Sequence, residues 1–129
     1  MLDDLSQDRP LEGVRVLEFT HAVMGPSAGL ILADLGAEVI HVEPPKGDAT
    51  RRLRGMGSGY FAFFNRNKKS LAVNIKDDAG RDVIHRLLET SDVVVENFGP
   101  GTMDRLGYGY EDCKAVRPDI IYCALKGFL

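Results

Sequence analysis

One alternation constrains this chain more than any other feature. Short β-rich runs take turns with stretches of helical spacing. Val14-Arg15-Val16-Leu17-Glu18-Phe19, after the turn-forming Gly13, reads as a strand. Thr20 to Gly25 reads as a loop, and Pro26 and Ser27 open a helix, where proline is tolerated in the first turn. Leu30, Ile31, Leu32 and Leu35 give that helix a wide apolar face, and Gly36 ends it. Glu38-Val39-Ile40-His41-Val42-Glu43 is the next strand, stopped by Pro44-Pro45. Strand, helix and strand within about 30 residues make the βαβ unit of a parallel sheet.

The pattern continues. Ser70 to Ile75 reads as a third strand, and Asp77 and Asp78 begin a second helix, where acids suit the amino end of the dipole. Val83, Ile84, Leu87 and Leu88 recur at helical spacing. Asp92 to Phe98 is a fourth strand, apolar enough to be covered on both faces. Pro100–Leu106 and Glu111–Val116 are short helical turns, and Ile120 to Ala124 is the last strand. The expected fold is α/β: a Rossmann-like, doubly wound, mostly parallel sheet. Residues 1–10 are a polar lead-in, and residues 11–129 form the domain. The chain closes on a strand running into a glycine-marked loop, so the expectation is an incomplete domain whose next loop is not in the chain.

Composition narrows the function. With 129 residues and 44% hydrophobic content, the chain can form one domain with a true core. A net charge of −3 argues against nucleic-acid binding by bulk charge. Cys113 and Cys123 lack metal-ligand spacing and read as reduced thiols, so no metal site and a cytoplasmic location are expected. The acidic first residues do not resemble a signal peptide. No stretch approaches the roughly 20 apolar residues that span a bilayer.

Three segments carry chemistry. The first βα loop, Thr20 to Gly29, lies where dinucleotide folds keep G-x-G-x-x-G, but it has only Gly25 and Gly29. Glu43 falls where a ribose-binding acid would, yet without those glycines it is weak support for NAD. His21, at a strand's carboxyl end, is either a site residue or a histidine satisfied by loop backbone. The segment from Lys46 to Lys69 has no periodicity. It puts six basic residues, Arg51, Arg52, Arg54, Arg66, Lys68 and Lys69, within 19 positions. These are either phosphate donors or a solvated basic face. Tyr60, Phe61, Phe63 and Phe64 between them either stack on a base or fill the core. In the third segment, Glu96 to Gly107, Asn97 offers amide hydrogen bonds. The Gly99-Pro100-Gly101 turn admits close backbone approach there, and Arg105 can point back at a phosphate.

Together these segments form an ordered set. Leu11-Glu12-Gly13-Val14-Arg15-Val16-Leu17-Glu18 is followed by Ala33-Asp34-Leu35-Gly36-Ala37-Glu38-Val39-Ile40-His41-Val42-Glu43. Then come Asn65-x-Asn67-Lys68-Lys69-Ser70, Val95-Glu96-Asn97-Phe98-x-Pro100-Gly101 and Leu125-Lys126-Gly127-Phe128. Over residues 10 to 129 the chain resembles class III CoA-transferases, a family that includes formyl-CoA transferase, carnitine-CoA transferase and the α-methylacyl-CoA racemases.

The resemblance implies the N-terminal part of the family's large Rossmann-like domain. It implies CoA or acyl-CoA as substrate with a small carboxylic acid as partner, no permanently bound cofactor, and an interlocked homodimer. The implied CoA contacts are His21, Val23, Met24, Lys68, Lys69, Asn97, Phe98 and Arg105. Val23 stands where formyl-CoA transferase has a glutamine, which points to the family and not to that member. The intact Asn-x-Asn-Lys-Lys and Glu-Asn-Phe motifs favour the transferase branch over the racemases. The family's catalytic aspartate is expected beyond Leu129, and Asp34, Glu43 and Asp104 are read as structural acids. The chain alone is then expected to be catalytically silent and to aggregate or dimerise. A free-standing CoA- or nucleotide-binding module and a racemase fragment are the alternatives.

Overall fold

A computed structural model describes residues 9–127. Most of the polar lead-in, residues 1–8, and Phe128-Leu129 of the terminal loop lie outside the described residues. The strands are β1 (Arg15–Phe19), β2 (Glu38–Glu43), β3 (Lys69–Ala72), β4 (Val93–Glu96) and β5 (Ile121–Ala124). All four pairings are parallel, in the order β3-β2-β1-β4-β5. The chain builds outward from β1 to β3, then returns to the other side of β1 with β4. That reversal puts the topological switch point between β1 and β4, where open α/β sheets hold their ligands.

The helices are α1 (Met24–Asp34), α2 (Tyr60–Phe64), α3 (Asp78–Glu89), α4 (Thr102–Leu106) and α5 (Tyr110–Val116). They cover both faces of the sheet. On one face Val16, Val39 and Val95 pack with Ala33 of α1. On the other, Leu17, Phe19, Ile40, Val42 and Val94 meet Ile84 and Leu88 of α3, Met103 of α4 and Cys113 of α5. The spacing of Ile84 and Leu88 turns both onto the sheet once per helical turn. Asp77 caps α3, its side chain accepting from the Gly80 amide at 2.7 Å. Gly36, with φ of +106°, reverses the chain after α1.

Several local readings change. β3 ends at Ala72 and not at Ile75, and β4 ends at Glu96 and not at Phe98. Helix α1 begins at Met24, two residues before Pro26. Its apolar face is narrower than expected: Leu30 is buried, whereas Ile31 and Leu35 point to solvent. The long segment after β2 is also not uniformly irregular. It holds two 3-10 turns, Ala49–Arg52 and Gly55–Gly57, and then α2. Among the described residues no helix is long and apolar enough to cross a membrane.

Candidate functional site

The carboxyl ends of the strands align, with Glu43 beside Ala72 and Phe19 beside Glu96. Over these ends lies a cleft of about 730 Å³. Its walls are largely apolar: Phe19, Val42, Pro44-Pro45, Leu53, Ile75 and Leu106. Its polar rim includes Thr20, His21, Asn74, Lys76 and Thr102. An apolar cavity with a few convergent polar groups at this edge is where such a fold binds a small molecule.

Two predicted residues meet at the mouth. The His21 ring stacks on Phe98, centroids 5.5 Å apart and planes 23° off parallel. Asn97 holds them in place. Its Oδ1 accepts from the His21 amide at 2.9 Å, and its Nδ2 donates to the His21 carbonyl at 3.0 Å. Phe98 is braced from below: its amide donates to Glu96 Oε2 at 2.9 Å, and Lys126 Nζ donates to its carbonyl at 2.8 Å. Lys126 also pairs with buried Glu96. Val23 and Met24 sit exposed at the start of α1, outside the cleft lining. Arg105 is exposed and donates to Thr102 Oγ1 at 3.0 Å, one residue removed from the cleft wall.

Lys68 and Lys69 point elsewhere. The Lys68 side chain is 1% exposed. Its ammonium donates to Glu18 Oε1 at 2.9 Å, Glu18 Oε2 at 3.0 Å, the Pro26 carbonyl at 2.8 Å and Asn65 Oδ1 at 3.0 Å. Burial lowers the lysine's pKa, and Glu18 opposes that shift. Glu18 also meets His41 Nδ1 at 2.9 Å, and His41 Nε2 lies 3.3 Å from Asp48 Oδ2. Lys69 pairs with Glu38, the first residue of β2, at the end of the sheet opposite the cleft.

Most of the basic segment is neutralised internally in the same way. Arg51 forks onto Glu43 at 2.8 and 2.6 Å and lies over the Phe61 ring at 3.7 Å. Arg66 pairs with Asp34 at 2.7 Å. Glu43, bonded also by Ser70 and the Asp48 amide, is held well below the usual carboxylate range, at about 2, chiefly by Arg51. With its oxygens so occupied it has none to offer a ribose. The four aromatics of the segment line no part of the cleft: Phe61 meets His41, and Phe64 packs against Tyr60 and Phe63.

Sequence reasoning passed over Val73-Asn74-Ile75-Lys76, which lines the cleft beyond β3. Lys76 is the one lysine or arginine among the described lining residues. The available signal was its position just past a strand's carboxyl end. Among the described residues no group of three or more His, Cys, Asp or Glu is placed to hold a metal ion.

Known proteins give this geometry a context. The chain is 46% identical over 124 residues to the formyl-CoA:oxalate CoA-transferase of Streptomyces coelicolor, covering 93% of this chain and 30% of that protein. It is 48% identical over 130 residues to the human succinyl-CoA:glutarate CoA-transferase, covering 97% and 30%. Among solved structures, the Mycobacterium tuberculosis protein Rv3272 superposes with a TM-score of 0.89 at 45% identity, over 95% of this chain and 35% of that one. The chain thus spans about a third of the length of these relatives. The model of CoA-transferase family III matches residues 11–129, and the chain belongs to that family.

Proposed function

We propose that this chain supplies the CoA-recognition surface of a transferase that moves CoA from an acyl-CoA thioester to a free carboxylic acid. The observation that carries the reading is the cleft over the strand ends, apolar within and ringed by His21, Asn74 and Lys76. CoA joins a flat base to phosphates, and those two parts need what the cleft offers. Apolar walls take the base, and Lys76 is a point charge for a phosphate. Arg105 adjoins the rim through Thr102 and is a second phosphate donor. The relatives' names support the substrate class, each pairing a CoA thioester donor with a dicarboxylic acid acceptor.

In the mechanism that the family resemblance implies, the nucleophile is an enzyme carboxylate. It attacks the thioester carbonyl, forming a mixed anhydride and expelling CoA thiolate. The thiolate attacks the enzyme acyl carbon, forming an enzyme–CoA thioester and freeing the first acid. The second acid repeats the two steps in reverse order and leaves as its CoA thioester. That carboxylate must be free to face the ligand. Each described acid at the strand ends is already engaged: Glu43 by Arg51, Asp48 by Thr50 and Glu96 by Lys126. In line with what the family resemblance implies, we assign recognition to this chain and the covalent step to an aspartate outside residues 9–127.

Calorimetric titration of the chain with CoA and with 3′-dephospho-CoA tests the reading. Binding of CoA that weakens without the 3′-phosphate is expected. Absence of binding by either compound would overturn it.

A further inference from the structure

The long segment after β2 divides its cations into two groups. Arg51, Arg66, Lys68 and Lys69 each pair with an acid. Lys46, Arg52 and Arg54 pair with none among the described residues, and all three are exposed.

Two of these three are held on the rim of the cleft. Pro44 and Pro45 line it, and Lys46 follows them in a tight turn closed by the Gly47 amide, which donates to the Pro44 carbonyl at 2.7 Å. The turn is tied to the sheet, because the Asp48 amide donates to buried Glu43 at 2.6 Å. Arg52 then reaches back, its Nη1 donating to the Lys46 carbonyl at 2.7 Å. That bond sets the guanidinium against the turn and leaves most of its N–H fork unused. The next residue, Leu53, is cleft wall again. A lysine at the turn tip and a planar fork of donors held against the same turn therefore border one apolar wall. Arg54 differs. The backbone is extended at Leu53 and at Arg54, so their side chains alternate, and Leu53 is the one that lines the cleft.

This rim suits one part of CoA. The 3′-phosphate hangs from the ribose that carries the base, so it emerges beside the wall that takes the base. As a monoester it carries a charge of about −1.5 to −2 near neutral pH. A guanidinium fork with a neighbouring ammonium matches both that charge and its terminal oxygens. Lys76 follows β3 and Arg105 lies on α4, at other places around the cleft, where they are left for the diphosphate.

We infer that Lys46 and Arg52 form the subsite for the 3′-phosphate and set a preference for CoA over 3′-dephospho-CoA. The subsite deepens the CoA reading and rests on it.

The test compares the affinities of the two ligands for the wild-type chain and for exposed-residue variants, by calorimetry. Wild type should prefer CoA by about twentyfold or more. Lys46→Ala and Arg52→Ala should each weaken CoA about fivefold, the upper scale of an exposed ion pair, and change dephospho-CoA less than about twofold. The double variant should bind the two ligands within about twofold of each other. Arg52→Lys keeps the charge without the fork and should fall between wild type and Arg52→Ala. Arg54→Ala removes the same charge two positions away and should keep the wild-type preference. Equal losses for both ligands in Lys46→Ala or Arg52→Ala would overturn the inference, because the cation would then act on another part of the ligand. An Arg54→Ala loss as large as that of Arg52→Ala would also overturn it, as the mark of bulk charge. A wild-type chain that binds both ligands equally overturns the subsite and leaves the broader CoA reading standing. A wild-type chain that binds neither overturns both.

Discussion

Replacing Lys68 with methionine should destabilise the chain while leaving the affinity of the folded protein for CoA unchanged. The side chain is buried and its ammonium donates to four oxygens, two of them on Glu18. Methionine fills much the same volume with no charge. Glu18, wholly buried, would keep only His41, and the Pro26 carbonyl and Asn65 Oδ1 would lose a donor. Breaking one side of a buried ion pair costs about 3–5 kcal/mol, mostly from the charge left behind. Against a total stability of about 5–15 kcal/mol for a domain, that is a large fraction. With a urea slope of about 2 kcal/mol per molar, the midpoint should fall by about 2 M. Circular dichroism in urea measures it. The double variant Lys68→Met/Glu18→Gln removes both charges and should recover more than half of the loss. A midpoint within about 0.5 M of wild type, corresponding to about 1 kcal/mol, would refute the buried-pair argument. So would a double variant as unstable as the sum of the singles.

Other outcomes follow from the same structure. Glu43 is held at about 2 in the folded chain, below its unfolded value, so its contribution is present above that unfolded value and fades as pH falls toward 2. The amount is about 2 kcal/mol once screening at partly exposed Arg51 is allowed for, and Arg51→Met should flatten acid unfolding by that much. Burial pushes the Cys113 thiol up to about 12, so it should resist alkylation at pH 8 until the chain is unfolded, as mass spectrometry of labelled peptides will report. Ile84→Ala opens a cavity beneath α3 and should cost about 2–5 kcal/mol in the same urea assay. Ile121 lies 63% exposed on the edge strand β5, so the chain should self-associate in sedimentation runs and Ile121→Lys should reduce it.

What could be read from the sequence divides along physical lines. Helix α3 was legible because Ile84 and Leu88 repeat at the helical period and local burial obeys that period. The parallel sheet was legible because helical stretches separate β-rich runs, which leaves few other ways to pair them. The cleft edge was partly legible: His21, Asn97 and Phe98 follow strands, and the structure brings them together. The basic segment was not. Lys68 and Lys69 are neighbours with similar chemistry, yet one is buried on Glu18 and the other lies exposed on Glu38. Glu18 is 50 positions from Lys68, and nothing local says that the two will meet. Glu18, His41, Glu43 and Glu96 have the look of solvent-facing residues between apolar ones, and each is buried with partners from other elements. Lys76 was overlooked for the opposite reason, as a single cation outside any cluster.

Chemical-shift mapping of the chain with CoA is the direct test of whether the cleft over the strand ends receives the ligand. Perturbed amides are expected at Phe19 to Ala22, at Val73 to Lys76 and around Phe98, with Lys68 and Lys69 unmoved. Shifts that cluster on Lys68, Lys69 and the outer face of α1, and leave Asn74 to Lys76 unmoved, would contradict it.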